Sequence, residues 1–213
     1  MKNIMITDVT EKNFIIDFFK NKPNGRFLEI GANDGEPTQD TEPMWGLVEK
    51  GWSGVYCEPN PISCAKLISN ILPYKDKIQV FNGAVSMNNN EGLVDFYLSL
   101  QTRMSSSLDP TWSKKQYYYK PEHQQYPMIT SMVSFQSLID FIGNDFDCIS
   151  IDVENNSAVV SDLLMSIDWG QFKNCKVLCL EAATSKVIEY LKTFNYTEFI
   201  KTPVHNLLCI KPT

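Results

Sequence analysis

The apolar positions of this chain fall into two kinds of cluster, one with helical spacing and one compact and β-branched, and the two kinds alternate. EKNFIIDFFK spaces its apolar residues every three or four positions, which predicts a helix over 11–20, closed by the turn residues Pro23, Asn24 and Gly25. Apolar runs predict strands over 26–30 and 55–58, followed by a helix over 61–72 with Pro73 as its stop. A third strand is expected over 78–85, a turn over 87–92, and an antiparallel strand in LVDFYLS. Beyond the aperiodic stretch 101–127, a short strand over 128–133 leads into a helix in FQSLIDFIG. Strand 146–154, helix 158–167, strand 176–182 and helix 185–194, with Ser185 as its cap, continue the alternation. The chain closes on YTEFIKT and NLLCIKP, a strand pair joined by a turn around Pro203 and His205. This order predicts an α/β fold, a mostly parallel sheet covered on both faces, with ligands at the carboxyl ends of its strands.

Those strand ends carry acids: Glu29 with Asp34, Glu58, Asp152 with Glu154, and Glu181. For one acid alone, a solvated loop position or a helix cap is the commoner explanation; recurrence at successive strand ends points to a shared crevice. FLEIGANDG, residues 27–35, runs from the first strand of the motif into a turn that sets Gly31 and Gly35 among carboxylates. A phosphate-binding loop offers bare amides at a helix N-terminus. Carboxylates would repel phosphate and attract an ammonium group or a ribose hydroxyl, and S-adenosylmethionine has both groups and no phosphate. GVYCEPNP, residues 54–61, ends the next strand on Glu58, placed to accept two hydrogen bonds from ribose hydroxyls. The ribose of NAD would be served equally, so it is the pairing with the acidic first loop that favours the methionine-derived cofactor.

Composition narrows the setting. With 213 residues, 43% of them hydrophobic, the chain is expected to be a single domain over 1–213 with a substrate-side loop at 101–127. It has no apolar run near the roughly 20 residues that span a bilayer and no secretory start, which predicts a soluble, cytoplasmic protein. A formal charge of −6 weighs against a nucleic-acid partner. The one basic and aromatic cluster, WSKKQYYYKPEH at 112–123, fits an exposed insertion with tyrosines partly packed on the surface or a flexible wall of the substrate pocket, the latter in preference to a nucleic-acid contact. Six cysteines without a CxxC pair are expected to be buried thiols.

In their order and spacing, FLEIGANDG, YCEPNP, GAVSMNNNEGLVDFYLS, SSSLDP, MVSFQSLIDF and ISIDVEN resemble the motifs of the FkbM-like family of class I S-adenosylmethionine-dependent methyltransferases. The resemblance implies a Rossmann-like, seven-stranded, mostly parallel sheet with helices on both faces and a C-terminal antiparallel hairpin. It also implies methyl transfer to a hydroxyl, often on a sugar or a secondary metabolite. Carried over by motif, Glu29, Gly31, Ala32 and Asp34 surround the methionine part, Glu58 the ribose, and Ala84 with Val85 the adenine. Asn33, Gly35, Pro59, Asn60, Ser107 and Asp152 complete the expected cofactor-binding set, and no metal ligand is assigned. The chain departs from the family in one place, with Asn155 and Asn156 where a glycine usually follows the acidic motif. Asparagine tolerates left-handed backbone angles, so the turn can survive.

Methyl transfer to a hydroxyl gains from a general base within hydrogen-bond reach. Asp152 leads, with Glu154 and Glu181 behind it, and His123 in the long loop is the other candidate. Asp152 fits the cofactor's ammonium group equally well, and clustered acids are also a minority candidate for a divalent metal. Three functional classes follow. The first is a methyltransferase for a small hydroxylated acceptor such as a sugar or sugar nucleotide. The second is a methyltransferase-like binding protein without turnover, motivated by Asn155. The third is an NAD-dependent oxidoreductase or epimerase, favoured only by the generic fold and Glu58 and lacking both the glycine triplet and a YxxxK pair.

Overall fold

The computed structural model describes residues 4–36, 42–99, 106–111, 125–154, 157–181, 183–203 and 206–212. Strand β1 (Ile4–Ile6) precedes helix α1 (Glu11–Phe18), whose start is set by Thr10, its hydroxyl accepting from the Asn13 amide at 3.4 Å. Strand β2 (Arg26–Ile30), the short helix α2 (Trp45–Glu49) and strand β3 (Ser53–Cys57) follow. Helix α3 (Pro61–Ile71) begins with Pro61, a residue preorganised for a first turn, and Asn60 Oδ1 accepts from the amides of Ile62 and Ser63. The 3-10 turn Leu72–Tyr74 leads to β4 (Ile78–Phe81), then β5 (Ala84–Ser86), β6 (Gly92–Ser99) and β7 (Gln125–Ser134). Helix α4 (Phe135–Ile142), capped by Ser134, precedes β8 (Cys148–Ile151), α5 (Ser157–Ser166), β9 (Val177–Leu180), α6 (Ser185–Lys192), β10 (Glu198–Lys201) and β11 (Leu207–Ile210).

Among the described residues, eight strands form one sheet in the order β1-β10-β11-β9-β8-β2-β3-β4. Pairing is parallel from β9 through β8, β2 and β3 to β4, while β11 runs antiparallel to both β9 and β10. Chain order reverses beside β2: the chain moves through β3 to β4 on one side and through β8 to β9 on the other. Open α/β sheets place their ligand crevice at such a switch point. Because side chains alternate along a strand, β2 sends Leu28 and Ile30 into a core with Leu138, Leu164 and Leu191 from α4, α5 and α6. Phe27 goes to the opposite core with Ile15, Leu47 and Leu67 from α1, α2 and α3. All six cysteines are buried free thiols. No helix among the described residues is long and apolar enough to cross a membrane.

Four expectations change. The sheet has eight strands instead of seven, because the three-residue IMI segment, too short to read as a strand, pairs in parallel with β10 at the edge. The single strand expected over 78–85 is broken at Asn82 and Gly83: β4 stays in the main sheet and β5 joins a second, three-stranded sheet, β5-β7-β6. Strand β7 begins at Gln125, inside the stretch expected to be loop, and its residues 125–132 pair with the whole of β6. Thr184, not Ser185, is the residue before α6, and its hydroxyl is engaged by Ser161 Oγ at 2.9 Å instead of capping the helix.

Phe27 lies opposite Gly54 across the β2–β3 pair, with its ring edge-on to Tyr56 at 5.1 Å between centroids. A Cβ on residue 54 would stand 2.3 Å from Phe27 Cζ. Gly54→Ala is therefore expected to cost about 1–3 kcal/mol in urea unfolding. In combination with Phe27→Leu the cost should fall short of the sum by about 0.5 kcal/mol or more. Strict additivity would mean that the ring does not need the missing side chain.

Candidate functional site

The crevice is built from the first residues beyond β2, β3 and β8. In the sheet register Glu29 lies beside Tyr56 on one side and Ser150 on the other, and Ser150 beside Cys179. Two residues further along each strand, and so on the same face of the pleat, stand Glu58, Gly31, Asp152 and Glu181 in turn. Three acids thus form a row interrupted at Gly31, with Glu29 one pleat behind the gap. Gly31 has φ +87, and a Cβ there would lie 1.7 Å from the Asp152 carbonyl oxygen, so only glycine lets the two strand ends close up. The Asp152 amide in turn donates to the Ile30 carbonyl at 2.9 Å.

Past Gly31 the chain turns through Asn33, at φ 48, a left-handed angle that asparagine tolerates. The turn aims the Asn33 amide at Glu58 Oε2, 2.7 Å away, while Glu58 Oε1 accepts from the Asn60 amide at 2.6 Å. Asn33 Oδ1 accepts from the Ser63 hydroxyl at 2.9 Å, and the Asn82 side chain donates to the Glu58 carbonyl at 2.8 Å. Asp34 is paired at 4.0 Å with Lys66 on α3.

The resulting cavity, of about 350 Å³, is lined by seven carboxyl-bearing residues, and no described lining residue is a lysine, arginine or histidine. Its other wall is largely apolar, with Ala84, Val85, Met87, Phe96, Leu108 and Met132. Ser107 closes one side, its hydroxyl donating to the Glu154 carbonyl at 2.6 Å. Burial, with repulsion between neighbours, holds Glu29, Glu42, Glu58, Asp152 and Glu181 above their ordinary range. Glu58 is pushed up to about 8, by burial first and then by Asp152 and Asp34. Burial pushes Glu42 up to about 7, and Glu29 is raised well above the usual value by burial and by Glu42. Asp152 is raised by burial but held back by a hydrogen bond with Glu181, which is itself pushed up to about 10.

Of the residues assigned from sequence, Glu29, Gly31, Ala32, Asn33, Asp34, Gly35, Glu58, Pro59, Ala84, Val85, Ser107, Asp152 and Glu154 line this cavity. Asn60 does not; it stands behind the wall, where its amide holds Glu58 and its side chain caps α3. Glu181 is also outside the lining and reaches the cavity through Asp152. His123, Asn155 and Asn156 lie outside the described residues, as does most of the cluster at 112–123. The chief residue missed is Glu42, buried in the same wall, where its Oε1 accepts from Tyr56 OH and from the Met44 amide, both at 3.2 Å. No group of three or more His, Cys, Asp or Glu side chains among the described residues is arranged to hold a metal ion.

A parallel sheet with one antiparallel strand, β11, inserted between β9 and β10, and a crevice at its switch point, is the Rossmann-like methyltransferase fold. The METTL16 MTase domain superposes with a TM-score of 0.52 at 11% identity, over 93% of this chain and 64% of that one. Methyltransferase FkbM from Methylobacillus flagellatus superposes with a TM-score of 0.50 at 12% identity, over 88% of this chain and 44% of that one. This chain therefore spans less than two thirds of either structure. Residues 29–158, more than half of the chain, match the methyltransferase FkbM domain, and the chain belongs to that family. No curated protein matches it.

The raised carboxyls give stability a definite pH dependence. Glu42 and Glu58 leave the ordinary value of 4.5 for about 7 and about 8. Between those limits the folded chain holds protons that the unfolded chain has lost, so their contribution is complete below about pH 4.5 and disappears as pH rises through the folded values. The melting temperature of the ligand-free protein is expected to fall by at least about 5 °C between pH 6 and pH 9. Glu58→Gln should flatten that slope, and an unchanged slope would remove Glu58 as its source.

Proposed function

We propose that the chain is an S-adenosylmethionine-dependent methyltransferase acting on a hydroxyl oxygen of a small acceptor, such as a sugar, a glycan precursor or another small metabolite. The observation that carries this reading is the crevice at the switch point of a chain in a methyltransferase family, whose described lining holds seven carboxyl-bearing residues and no lysine, arginine or histidine. Such a crevice repels the pyrophosphate of NAD and attracts a ligand with positive charge. The residues present fit the cofactor. Glu29 Oε2 is buried with no hydrogen-bond partner among the described residues, which leaves it for an ammonium group. Each Glu58 oxygen accepts one backbone amide and retains a second lone pair for a ribose hydroxyl. Ala84 and Val85 offer an apolar wall for adenine.

When bound, S-adenosylmethionine supplies an electrophilic methyl group on a sulfonium. The chain's part is alignment and proton handling. Glu181 keeps its proton and donates it in a hydrogen bond to Asp152, which leaves the negative charge on the carboxyl that faces the cavity. Asp152 is thereby suited to take the proton of an acceptor hydroxyl, with Glu181 as its positioning residue and Glu154 in the lining of the same cavity. His123 remains the second candidate base, on sequence grounds. The acceptor enters, on this reading, from the side of Ser107 and the stretch 101–127.

Calorimetric titration tests the cofactor. S-adenosylmethionine is expected to bind saturably and NAD not to bind, and Glu58→Ala should weaken the former by at least about tenfold. A preference for NAD, or no binding of S-adenosylmethionine, would overturn the reading. With a hydroxylated acceptor found by screening for S-adenosylhomocysteine release, Asp152→Asn should lower turnover by about 100-fold or more while cofactor affinity changes little. Equal losses of turnover and affinity would instead make Asp152 a cofactor ligand.

A further inference from the structure

The Glu29–Glu42 contact asks for an explanation that the fold alone does not give. Both side chains are buried, 2% and 6% exposed, and both line the cavity. They are hydrogen-bonded to each other. Two carboxyls can share a hydrogen bond only if one of them holds a proton, since a carboxylate has acceptors alone. Glu42 is further fixed by Tyr56 OH and the Met44 amide. Glu29 Oε2 is buried and accepts from no donor among the described residues. A buried polar atom left in this condition signals an absent partner.

Resting on the assignment of S-adenosylmethionine as cofactor, we propose that Glu29 and Glu42 share one proton in the ligand-free protein, and that the α-ammonium group of the cofactor displaces it. The proton leaves to solvent, the pair passes from one negative charge to two, and the ammonium supplies the compensating positive charge. Glu42 is thus a cofactor-recognition residue, and binding is coupled to proton release.

The groups that face the pair define what else can titrate. Asp152 lies across the gap at Gly31 and its charge raises Glu29; Tyr56 is on β3; Lys12 on α1 acts on Glu42 in the opposite sense. The thiols of Cys57, Cys148 and Cys179 are held above their ordinary range in part by Glu29 and stay protonated near neutrality. Glu58 titrates in the same range but faces the ribose side. The probe must therefore distinguish an ammonium from a nucleoside. S-adenosylhomocysteine carries the ammonium without the sulfonium charge, and 5′-methylthioadenosine lacks the amino-acid portion altogether.

Calorimetry of the full chain in two buffers of different ionisation enthalpy counts the protons. Between about pH 6 and pH 7, where an α-amino group is still charged, S-adenosylhomocysteine is expected to release close to one proton more than 5′-methylthioadenosine does. Its affinity should rise by nearly tenfold across that unit. Glu42→Gln should abolish the extra proton and flatten the affinity profile while leaving 5′-methylthioadenosine binding unchanged, which also reports that the variant is folded. The wild-type measurement stands even if that variant does not fold. Equal proton release by the two ligands would overturn the proposal and place the titrating group on the nucleoside side, with the cofactor assignment intact. Loss of the extra proton in Asp152→Asn but not in Glu42→Gln would overturn it in favour of Asp152. Absence of binding by S-adenosylhomocysteine and S-adenosylmethionine alike would overturn the cofactor assignment and this proposal with it.

Discussion

The carboxyl of Glu58 holds together the two loops from which the crevice is made. Its oxygens accept amides from Asn33, beyond β2, and Asn60, at the head of α3, and the Asn82 side chain reaches its main-chain carbonyl from beyond β4. Three strand ends are thus tied to one residue that is 6% exposed. Two amide donors stabilise a carboxylate, yet burial and the neighbouring acids outweigh them and leave Glu58 pushed up to about 8. The same residue that organises the loops therefore tends to keep a proton near neutrality, and a ligand that stabilises its charge would draw that proton off.

Glu29, Glu42, Asp152 and Glu181 are raised by burial in the same way. Stability alone would favour pairing each buried acid with a cation, since an unpaired buried charge is costly. Asp147 shows the chain doing so elsewhere: it accepts from Lys22 and from the Arg26 amide at the opposite end of β2. At the carboxyl ends the acids are paired chiefly with one another, Glu29 with Glu42 and Asp152 with Glu181. Pairing of that kind lowers the cost by retaining protons, and it keeps the site receptive to positive charge.

The legibility of the site in the sequence follows the range of the contacts involved. Glu29, Gly31, Asp34 and Glu58 were readable because a strand followed by a turn fixes its end residues within a few positions. Helix and strand order was readable for the same reason, through periodicity over eight to ten residues. Glu42 was not, because it comes to Glu29 only when α2 docks beneath β2 and β3, and nothing local in TEPMW marks it. Asn60, expected as a ligand from its place in EPNP, stands behind the lining: its amide donates to Glu58, its Oδ1 starts α3, and its Nδ2 donates to Ser106 Oγ in the cavity wall at 3.3 Å. Strand β1 was hidden for a different reason: three apolar residues carry too little period to read, and they form a strand by pairing with β10, almost 200 positions away.

The register explains why the acids recur without any repeat in the sequence. Tyr56, Glu29, Ser150 and Cys179 lie side by side across four strands, and the next row on that face is Glu58, Gly31, Asp152 and Glu181. Only β2, the strand at the switch point, has no side chain in that row. The vacancy is enforced, since the Asp152 carbonyl occupies the place of a Cβ, and it exposes Glu29 one pleat behind. A side chain at position 31 would both push β8 away and cover Glu29. The glycine therefore acts twice, once on the packing of the sheet and once on the electrostatics of the crevice, and the position of a charged ligand is fixed by the absence of a side chain as much as by the acids around it.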